Sequence, residues 1–384
     1  MKKICFVITT PLIVDFFLRG HLAALSRRYD ITLVVNTDRP SFPGESRIPV
    51  TVVPAPIERQ ISIFRDLLAL ARLTALFVSR RYASVHSVGP KAGLLAMVAA
   101  WIARIPVRIH VFQGEVWLTR KGAMRLLLKF MDWLVARLAT HVLVVSRSER
   151  KFLVQEGIIR DANSRVLADG SINGVDMERF RPDADARTQI RRQLDIGEKD
   201  FFILFLGRLT VDKGVLELAT AFSRLAPART EAHLVLVGPD ENDLHTKVEE
   251  LCSSCRGRVH FTGLIGTPER YLAAADVLYL PSHREGFGNV IIEAGSVGIP
   301  AVASRIYGII DAAAENETAL LHDPGDIDAI AALLERLMAD EELRRRLGGN
   351  ARRRVEKMYS SQRLLDATLG FYEEVLGEKS AFPG

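Results

Sequence analysis

The chain contains little cysteine and few aromatic side chains, and it has no hydrophobic run long enough to span a bilayer. Its 384 residues include only three cysteines, and aromatic residues make up 7%. Three cysteines cannot form a disulfide framework, which favours a reducing compartment. The best membrane candidate, residues 94–103, is half the length of the roughly 20-residue stretch that a transmembrane helix requires. Residues 1–8 run into a strand pattern without a signal-peptide cleavage region, so we expect a cytoplasmic protein, or one bound peripherally to the inner face of the cell membrane.

Hydrophobic residues make up 48% of the chain and charged residues 25%. These proportions are typical of a globular protein with enough apolar material for a sizeable core, and they exclude a disordered or fibrous chain. At about 150 residues per domain, the length predicts two domains, with a single large domain as the alternative.

Charge is distributed unevenly along the chain. Residues 1–180 contain 26 Lys and Arg against 14 Asp and Glu, whereas residues 181–384 contain 25 against 32. A basic first half predicts an acidic partner, either lipid head groups or nucleic acid. A solvated basic surface without a partner is the alternative.

Several basic residues of the first half lie beside apolar helical patterns. They are Arg65, Arg72, Arg80 and Arg81, and, after Trp117, Arg120, Lys121, Arg125 and Lys129. A basic amphipathic surface of this kind favours an anionic membrane surface or a lipid-linked acceptor. We do not expect nucleic acid as the partner, because no nucleic-acid recognition motif accompanies the charge.

Short apolar runs alternate with helical patterns in both halves. Predicted strands cover residues 4–9, 31–36, 50–53, 84–88, 107–112 and 141–146, and then 201–206, 233–237, 259–262, 277–280 and 301–304. Predicted helices cover residues 63–79, 93–103, 215–225, 244–253, 269–274, 290–297 and 327–337. Apolar strands that alternate with helices indicate parallel sheets covered on both faces. The sequence therefore predicts an α/β fold of two doubly wound, Rossmann-like domains.

The apolar periodicity lapses near residues 180–185, where charged residues take over. We place the domain boundary there. The first domain then covers residues 1–181 and is completed by a C-terminal helix within 362–384, and the second covers residues 182–361. Ligands of such sheets bind at the carboxyl ends of the strands, and the cleft between two facing domains is the expected site.

The segment 205–214 carries the first candidate site. It follows a predicted strand and precedes a helix, and it contains Gly207, Arg208, Lys213 and Gly214. Glycine lets a backbone approach a ligand closely. Two cations beside a helix N-terminus suit a diphosphate. An ordinary charged surface turn is the alternative.

The segment 281–294 carries the second candidate site, again between a strand and a helix. Gly286 and Gly288 leave bare N–H groups beyond the strand end. Glu285 lies in that loop, where it can meet a sugar beyond the phosphates, and Glu293 lies inside the following helix, where a carboxylate can accept both hydroxyls of a ribose. The alternative is a pair of solvent-facing glutamates.

Together these two segments resemble the signature of glycosyltransferase family 4. The resemblance covers most of the chain and is strongest over residues 200–305. It includes the segment 259–263, Val-His-Phe-Thr-Gly, and the segment 173–176, Asn-Gly-Val-Asp. It implies the GT-B fold, in which two Rossmann-like domains face a cleft and a C-terminal helix crosses back to the first domain.

The resemblance also implies roles for individual residues. Arg208 and Lys213 hold the donor pyrophosphate, Glu293 holds the ribose and Glu285 faces the donor sugar. Leu264 lies near the nucleobase, and Gly20, expected at the start of the helix after the first strand, approaches the donor phosphates. The backbone that cradles the donor oxygens belongs to Gly286, Phe287, Gly288, Asn289 and Val290.

The first domain departs from the family pattern at one position. Many relatives carry a His-Gly pair after the strand that corresponds to residues 107–112, and the histidine touches the donor sugar. Here the pair reads Gln113-Gly114. Glutamine donates and accepts hydrogen bonds but carries no positive charge. We expect His110 to lie in the core or just behind the site.

Transfer in this family is retaining and needs no metal at the diphosphate, so the resemblance implies a metal-independent hexosyltransferase in bacterial surface-polysaccharide synthesis. The expected donor is a nucleotide-sugar, most simply a UDP-sugar, and the expected acceptor is a glycan or a lipid-linked glycan. Asp183-Ala184-Asp185 has the form of a metal-binding D-x-D, but it lies in a polar linker, and we expect no metal there. A sugar-nucleotide epimerase or hydrolase of the same fold, and a non-catalytic membrane-surface binding module, remain the alternatives.

Overall fold

The computed structural model describes residues 1–37, 48–58 and 62–377. The chain divides into two compact units, Met1–Asn173 with Gln362–Gly384, and Gly174–Ser361. The division lies before the expected boundary at 181/182, because residues 174–180 are bound within the second unit. The Val175 N–H donates to the Tyr359 carbonyl at 2.8 Å, and the Ser296 hydroxyl donates to the Phe180 carbonyl at 2.5 Å.

The first unit contains a seven-stranded sheet in which all strand pairs are parallel. Its strands are β1 (Lys3–Val7), β2 (Asp30–Val35), β3 (Thr51–Pro54), β4 (Ser84–Val88), β5 (Val107–Phe112), β6 (His141–Val144) and β7 (Ser164–Arg165). The strand order is β3-β2-β1-β4-β5-β6-β7. The sheet direction changes between β1 and β4, which makes their carboxyl ends the switch point of this unit.

Helices cover the faces of this first sheet. They are α1 (Pro11–Ile13), which continues through a π-helical turn (Val14–Leu18) into α2 (Arg19–Leu25), then α3 (Ile63–Arg80), α4 (Pro90–Ile102), α5 (Gly122–Leu138), α6 (Arg147–Gln155) and, from the C-terminal segment, α15 (Ser361–Val375). Helix α4 has no charged residue after Lys91, and its inner face joins the core with Trp117 and Phe77. The expected C-terminal helix is present as α15.

The second unit contains a six-stranded parallel sheet. Its strands are β8 (Phe201–Leu206), β9 (Ala232–Val237), β10 (Val259–Gly263), β11 (Val277–Leu280), β12 (Ala301–Ser304) and β13 (Ala319–His322). Its helices are α7 (Ala184–Gln193), α8 (Val215–Leu225), α9 (His245–Leu251), α10 (Pro268–Ala274), α11 (Asn289–Val297), α12 (Ile309–Ala312), α13 (Ile327–Ala339) and α14 (Glu341–Met358). Both units therefore have the doubly wound α/β architecture that the sequence predicts.

The strand order of the second sheet, β10-β9-β8-β11-β12-β13, determines where a ligand is expected. The chain moves from β8 to β9 and β10 on one side, and then returns to β11 on the other side of β8. The crevice beyond the carboxyl ends of β8 and β11 is therefore the switch point, where open α/β sheets bind ligands. Both candidate segments of the second half begin at this crevice.

Candidate functional site

The loops after β8 and β11 lie directly against each other. The His283 N–H donates to the Asp212 carbonyl at 2.9 Å, and Arg284 forms an ion pair with the Asp212 carboxylate at 2.8 Å. Burial alone would raise the pKa of Asp212, but hydrogen bonds from Thr210 and Arg284 outweigh it and lower the pKa to about 2. Asp212 is therefore ionised at neutral pH and joins the two loops.

Gly214 permits this close approach. Its φ of +70° lies in the left-handed region, and a Cβ atom at this position would lie 2.1 Å from the Pro281 carbonyl oxygen. No side chain fits there without moving the backbone of one of the loops. The spacing between the two candidate segments therefore depends on this glycine.

Lys213 and Glu285 meet at the centre of this junction. The Lys213 ammonium donates to Glu285 Oε1 at 2.5 Å, and the Ser282 hydroxyl donates to the same oxygen at 2.8 Å. Both side chains of the ion pair are about 15% exposed, with values of 16% and 14%. The structure thus brings together one predicted phosphate-binding cation and the predicted sugar-facing carboxylate.

Arg208 is oriented toward the loop after β9. Its guanidinium forms an ion pair with Glu241 at 2.7 Å, and about a third of each side chain is exposed. Backbone bonds align this loop with the segment after β8: Leu209 N–H donates to the Pro239 carbonyl at 2.8 Å, and Glu241 N–H donates to the Leu209 carbonyl at 3.2 Å. The two predicted cations therefore hold two different carboxylates.

Gly207 precedes Arg208 and forms a backbone hydrogen bond with the end of the neighbouring strand, β9. Its N–H donates to the Val237 carbonyl at 2.9 Å. A Cβ atom at Gly238 would lie 1.9 Å from the Gly207 carbonyl oxygen. The close approach that Gly207 makes in this structure is thus to the backbone of Gly238.

Helix α11 begins at the junction of the two loops. Gly288 caps it with a φ of +83°, and the Ile291 N–H donates to the Gly288 carbonyl at 2.9 Å. The first turn of α11 carries the positive end of the helix dipole. The Phe287 side chain is buried and packs edge-on against Tyr359, with the ring centroids 5.3 Å apart. The ring of Phe287 therefore belongs to the core, and only its backbone is left for the predicted binding role.

Gly308, which follows β12, supports the other side of the same loop. Its φ is +79°, and a Cβ atom there would lie 2.6 Å from the Gly286 carbonyl oxygen and 2.7 Å from that of Glu285. Sequence reasoning did not find Gly308. The signal that could have found it is the one used for the other two segments, a glycine between a strand end and a helix start.

Glu293 lies in the second turn of α11. Burial raises the pKa of its carboxyl to about 7, an effect that the charge of Arg179 opposes and that of Glu269 reinforces. Among the described residues, its carboxylate has no hydrogen-bond partner. A desolvated carboxylate of this kind gains hydrogen bonds from any pair of hydroxyl groups that reaches it.

Arg179 is a neighbour of Glu293 that the sequence did not reveal. It forms an ion pair with Glu269 at 2.8 Å and donates to the Gly266 carbonyl at 3.1 Å. It thus links the segment that begins the second unit to the loop after β10. Leu264 belongs to that loop and is 59% exposed.

Gln113, the predicted site residue of the first unit, follows β5 and is partly buried. The next N–H group, that of Gly114, donates to the buried Glu149 carboxylate. Burial and the neighbouring Glu115 raise the pKa of Glu149. Glu149 therefore fixes the turn that carries Gln113.

His110 is a core residue, as expected. It is buried, its Nδ1 lies 2.8 Å from the Ser87 hydroxyl, and burial lowers its pKa to about 3. A Cβ atom at Gly93 would lie 2.4 Å from the imidazole, so α4 packs directly on this ring.

Gly20 does not start a helix, contrary to the sequence-based expectation. Helical backbone runs from Pro11 through the π-helical turn to Leu25, so Gly20 lies inside it. The exposed N–H groups that attract phosphate are found only in the first turn of a helix. A Cβ atom at Gly20 would lie 3.9 Å from Leu365 of α15.

The described ranges contain no group of three or more His, Cys, Asp or Glu side chains placed to hold a metal ion. Asp183, from the D-x-D sequence, caps helix α7 instead: its carboxylate accepts the Ala186 N–H at 2.8 Å. Capping of this kind satisfies one of the unpaired N–H groups at a helix start.

Two family models match this chain. The model described as glycosyl transferases group 1 matches residues 186–354, and the glycosyl transferase 4-like domain matches residues 17–170. With the two Rossmann-like units and the site at the second switch point, these matches show that the chain belongs to the family 4 type of GT-B glycosyltransferases. The protein is therefore a glycosyltransferase.

Individual relatives are similar over nearly the whole chain. The capsular polysaccharide biosynthesis glycosyltransferase CapM of Staphylococcus aureus is 29% identical, covering 94% of this chain and 94% of its own. A UDP-Gal:alpha-D-GlcNAc-diphosphoundecaprenol alpha-1,3-galactosyltransferase of Escherichia coli is 25% identical, covering 84% and 83%. The crystal structure of Anabaena HepE in complex with UDP-glucose has the same fold, with a TM-score of 0.78, 19% identity, and coverage of 97% and 100%.

Proposed function

We propose that this enzyme transfers a sugar, with retention and without a metal ion, from a UDP-sugar to a glycan or lipid-linked glycan acceptor in bacterial surface-polysaccharide synthesis. The observation that carries the proposal is the junction of Lys213, Glu285 and the start of α11 at the carboxyl ends of β8 and β11. We assign the donor to the second unit and the acceptor to the first, with the reaction at the cytoplasmic face of the membrane.

The chemistry of the junction suits a diphosphate. The Lys213 ammonium and the N–H groups of the first turn of α11 lie at the carboxyl edge of the second sheet, and Arg208 follows β8, as Lys213 does. Cations and a helix N-terminus both stabilise phosphate oxygens. During transfer the bond from the sugar C1 to the diphosphate breaks, so negative charge accumulates on the departing oxygens, where these donors lower the barrier.

The proton balance requires no metal and no separate base. The acceptor hydroxyl forms the new bond to C1 on the face that the diphosphate leaves, and its proton passes to a departing phosphate oxygen. Retention follows because attack and departure share one face. In this scheme Glu285 orients the donor sugar, and Glu293 accepts hydrogen bonds from the ribose hydroxyls. Gln113 forms a hydrogen bond with the sugar.

The relatives support the donor and acceptor classes. The E. coli relative uses a UDP-galactose donor and a diphosphoundecaprenol-linked acceptor by its name, and the HepE crystal contains UDP-glucose. CapM acts in capsular polysaccharide biosynthesis. We propose the same classes of donor and acceptor for this chain.

A donor-consumption assay tests the proposal. The purified enzyme is incubated with UDP-sugars, with and without diphosphoundecaprenol-linked glycan acceptors, and UDP release and product anomers are measured. We expect acceptor-dependent UDP release with retained configuration. In Lys213→Ala, turnover should fall by about 10²–10³-fold, the typical loss when one donor to a developing oxyanion is removed.

The matched control is Lys247→Ala, which removes a cation from α9 and should retain parental turnover. Release of free sugar or of an isomer without any acceptor would identify a hydrolase or an epimerase. Donor binding without turnover on any acceptor would contradict a transferase role. Unchanged turnover in Lys213→Ala would show that the site has been assigned wrongly.

A further inference from the structure

The first unit carries a surface that its fold does not use. Large apolar side chains are exposed on three helices that lie in one layer, with α4 packed against both α3 and α5. They are Ile63, Phe64, Leu67, Leu68 and Val78 on α3, Trp101 and Ile102 on α4, and Met124, Leu126, Leu127 and Phe130 on α5. We call this surface the three-helix face. Large exposed apolar side chains that are concentrated on one layer of helices are typical of an interaction site.

The exposure is greatest near the N-terminal turns of α3 and α5. Phe64 is 87% exposed and Leu126 is 69% exposed. Further along α3, a groove of about 680 Å³ runs between Leu67 and Ser79 and reaches Ile102 of α4. Because α3 and α5 each follow a strand of a parallel sheet, their N-termini lie at its carboxyl edge, which is also the edge that carries Gln113.

The charge on this face is of one sign. From Ser62 to Ala139 the sequence has twelve Lys and Arg but only three acidic residues, Asp66, Glu115 and Asp132. Glu115 and Asp132 are buried, and Asp66 forms an ion pair with Lys91 at 2.7 Å. Within the described part of the chain, eight exposed cations here form no ion pair: Arg72, Arg80, Arg81, Arg104, Arg120, Lys121, Arg125 and Arg137.

We infer that the three-helix face docks on an anionic lipid bilayer, with the apolar side chains of α3, α4 and α5 entering the interface and the arginines contacting lipid phosphates. Apolar residues flanked by Lys and Arg on surface-lying helices are the features that bind membrane surfaces. None of the helices that the structure describes has both the length and the apolarity to cross a bilayer, so the attachment is peripheral.

Two other occupants fit the face less well. In a symmetric dimer built on this surface, the unpaired arginines of one copy would face those of the other, and like charges repel. A nucleic acid would neutralise the arginines but would leave Phe64, Leu126 and Trp101 without apolar partners. A bilayer satisfies both features at once.

The idea that this face brings the enzyme to a lipid-linked acceptor rests on the proposed function. The docking on a bilayer does not. A lipid-linked acceptor presents its glycan at the bilayer surface. The exposed first turns of α3 and α5 lie at the carboxyl edge of the first sheet, as Gln113 does. Docking through these turns would therefore place Gln113 on the side of the unit that faces the bilayer. The binding assay below contains no donor and no acceptor, so its failure would leave the transferase proposal intact.

The test uses the full chain and vesicles of phosphatidylcholine alone or with one third phosphatidylglycerol. Co-sedimentation measures binding, and Trp101, which is 58% exposed, reports insertion through a blue shift of its emission. We expect strong binding to the anionic vesicles only. Phe64→Glu combined with Leu126→Glu should abolish the blue shift. Arg80→Gln combined with Arg81→Gln should weaken binding by about tenfold or more, since each arginine near an anionic surface contributes roughly fivefold.

Matched controls carry the same substitutions elsewhere. They are Leu251→Glu, at an exposed apolar residue of the second unit, and Arg345→Gln combined with Arg346→Gln, at adjacent exposed arginines of α14. Both controls should bind vesicles like the parent, and thermal melts confirm that every variant is folded. The inference is overturned if the parent ignores anionic vesicles, if the controls lose as much binding as the test variants, or if the face instead mediates self-association or binds nucleic acid.

Discussion

Glu293 combines a proposed binding role with a cost to stability. Its pKa in the folded protein is raised from 4.5 to about 7. Between these values the folded state holds a proton that the unfolded state has released. Stability therefore falls as pH rises from about 4.5 to 7, and the full cost applies above that range.

Replacing Glu293 by Gln should separate these two effects. At about pH 8 the free energy of unfolding should rise by about 1–3 kcal/mol, because a shift of one pKa unit corresponds to about 1.4 kcal/mol and the amide carries no charge to desolvate. The gain should disappear near pH 4, where the carboxyl is neutral in both states. Urea unfolding at the two pH values measures the change.

Although Glu293→Gln should stabilise the fold, it should weaken the binding of UDP. Calorimetry should show weaker UDP binding in Glu293→Gln than in the parent. In the parent, UDP affinity should decrease from about pH 8 to pH 6, because the Glu293 carboxylate takes up a proton. This decrease should be smaller in the variant. Glu335→Gln, on α13, is the control. A variant that binds UDP like the parent at every pH would show that Glu293 does not contact the nucleotide.

Glu241 forms an ion pair with the Arg208 guanidinium. This ion pair must break before Arg208 can bind the diphosphate as proposed. Removing this carboxylate should tighten UDP binding, because the ion pair no longer has to be broken. Exposed ion pairs contribute about 0.2–1 kcal/mol, so Glu241→Gln should lower the UDP dissociation constant by a factor of about 1.4 to 5. Titration calorimetry at low salt measures it, with Glu250→Gln as the control. Weaker binding in Glu241→Gln would mean that Glu241 supports the site.

At the scale of elements, the site consists of loops that touch through their backbones. Gly214 and Gly308 lie on two sides of the loop after β11, and each would drive a Cβ atom into a carbonyl oxygen. Such contacts fix the spacing of strand ends more rigidly than flexible side chains do. The loop geometry is therefore sensitive to single methyl groups.

A pair of glycines isolates this effect. Gly214→Ala and Gly298→Ala both place a side chain at positive φ, +70° and +89°, which costs about 1–2 kcal/mol. Only Gly214 meets an atom within 4 Å, the Pro281 carbonyl at 2.1 Å, whereas Gly298 meets nothing. We expect Gly214→Ala to lose about 1–3 kcal/mol more stability in urea unfolding, and to lose UDP affinity, which Gly298→Ala should keep. Equal effects in both variants would contradict the packing argument.

Periodicity predicted the strands of both sheets well where apolar runs are continuous. Strands β4, β5, β8, β11 and β12 have the predicted bounds. Strand β13 was missed because its three apolar residues, Ala319, Leu320 and Leu321, lie between polar segments and are too few for a pattern. Helix α7 was missed because most of its residues are polar or charged, so the buried Ala186 and Ile190 form no clear apolar pattern. The segment was therefore interpreted as a linker.

At the scale of the whole molecule, the sequence placed the two candidate segments at carboxyl strand ends, but it predicted neither the strand order nor the direction of each side chain. Lys213 and Glu285 were predicted on separate segments, and they meet because β8 and β11 are neighbours. The pairing of Arg208 with Glu241, the burial of Phe287 and the position of Gly20 inside a continuing helix depend on which strands and helices become adjacent. No local window of sequence contains that information.

Each unit also has its own sheet and its own hydrophobic core. The residues proposed to bind the donor belong to the second unit, and the unpaired exposed cations of the three-helix face belong to the first. This division agrees with the charge asymmetry of the sequence, in which the first half is basic and the second acidic.

The central claim is that Arg208 and Lys213 recognise the second phosphate of a nucleotide. Calorimetric affinities for UDP and UMP, measured for the parent and for Arg208→Ala combined with Lys213→Ala, test it most directly. The account predicts that the parent binds UDP at least tenfold more tightly than UMP, as expected for at least one charge-assisted contact to the added phosphate, and that the variant binds the two nucleotides about equally. A variant that keeps the full preference of the parent for UDP would contradict the account.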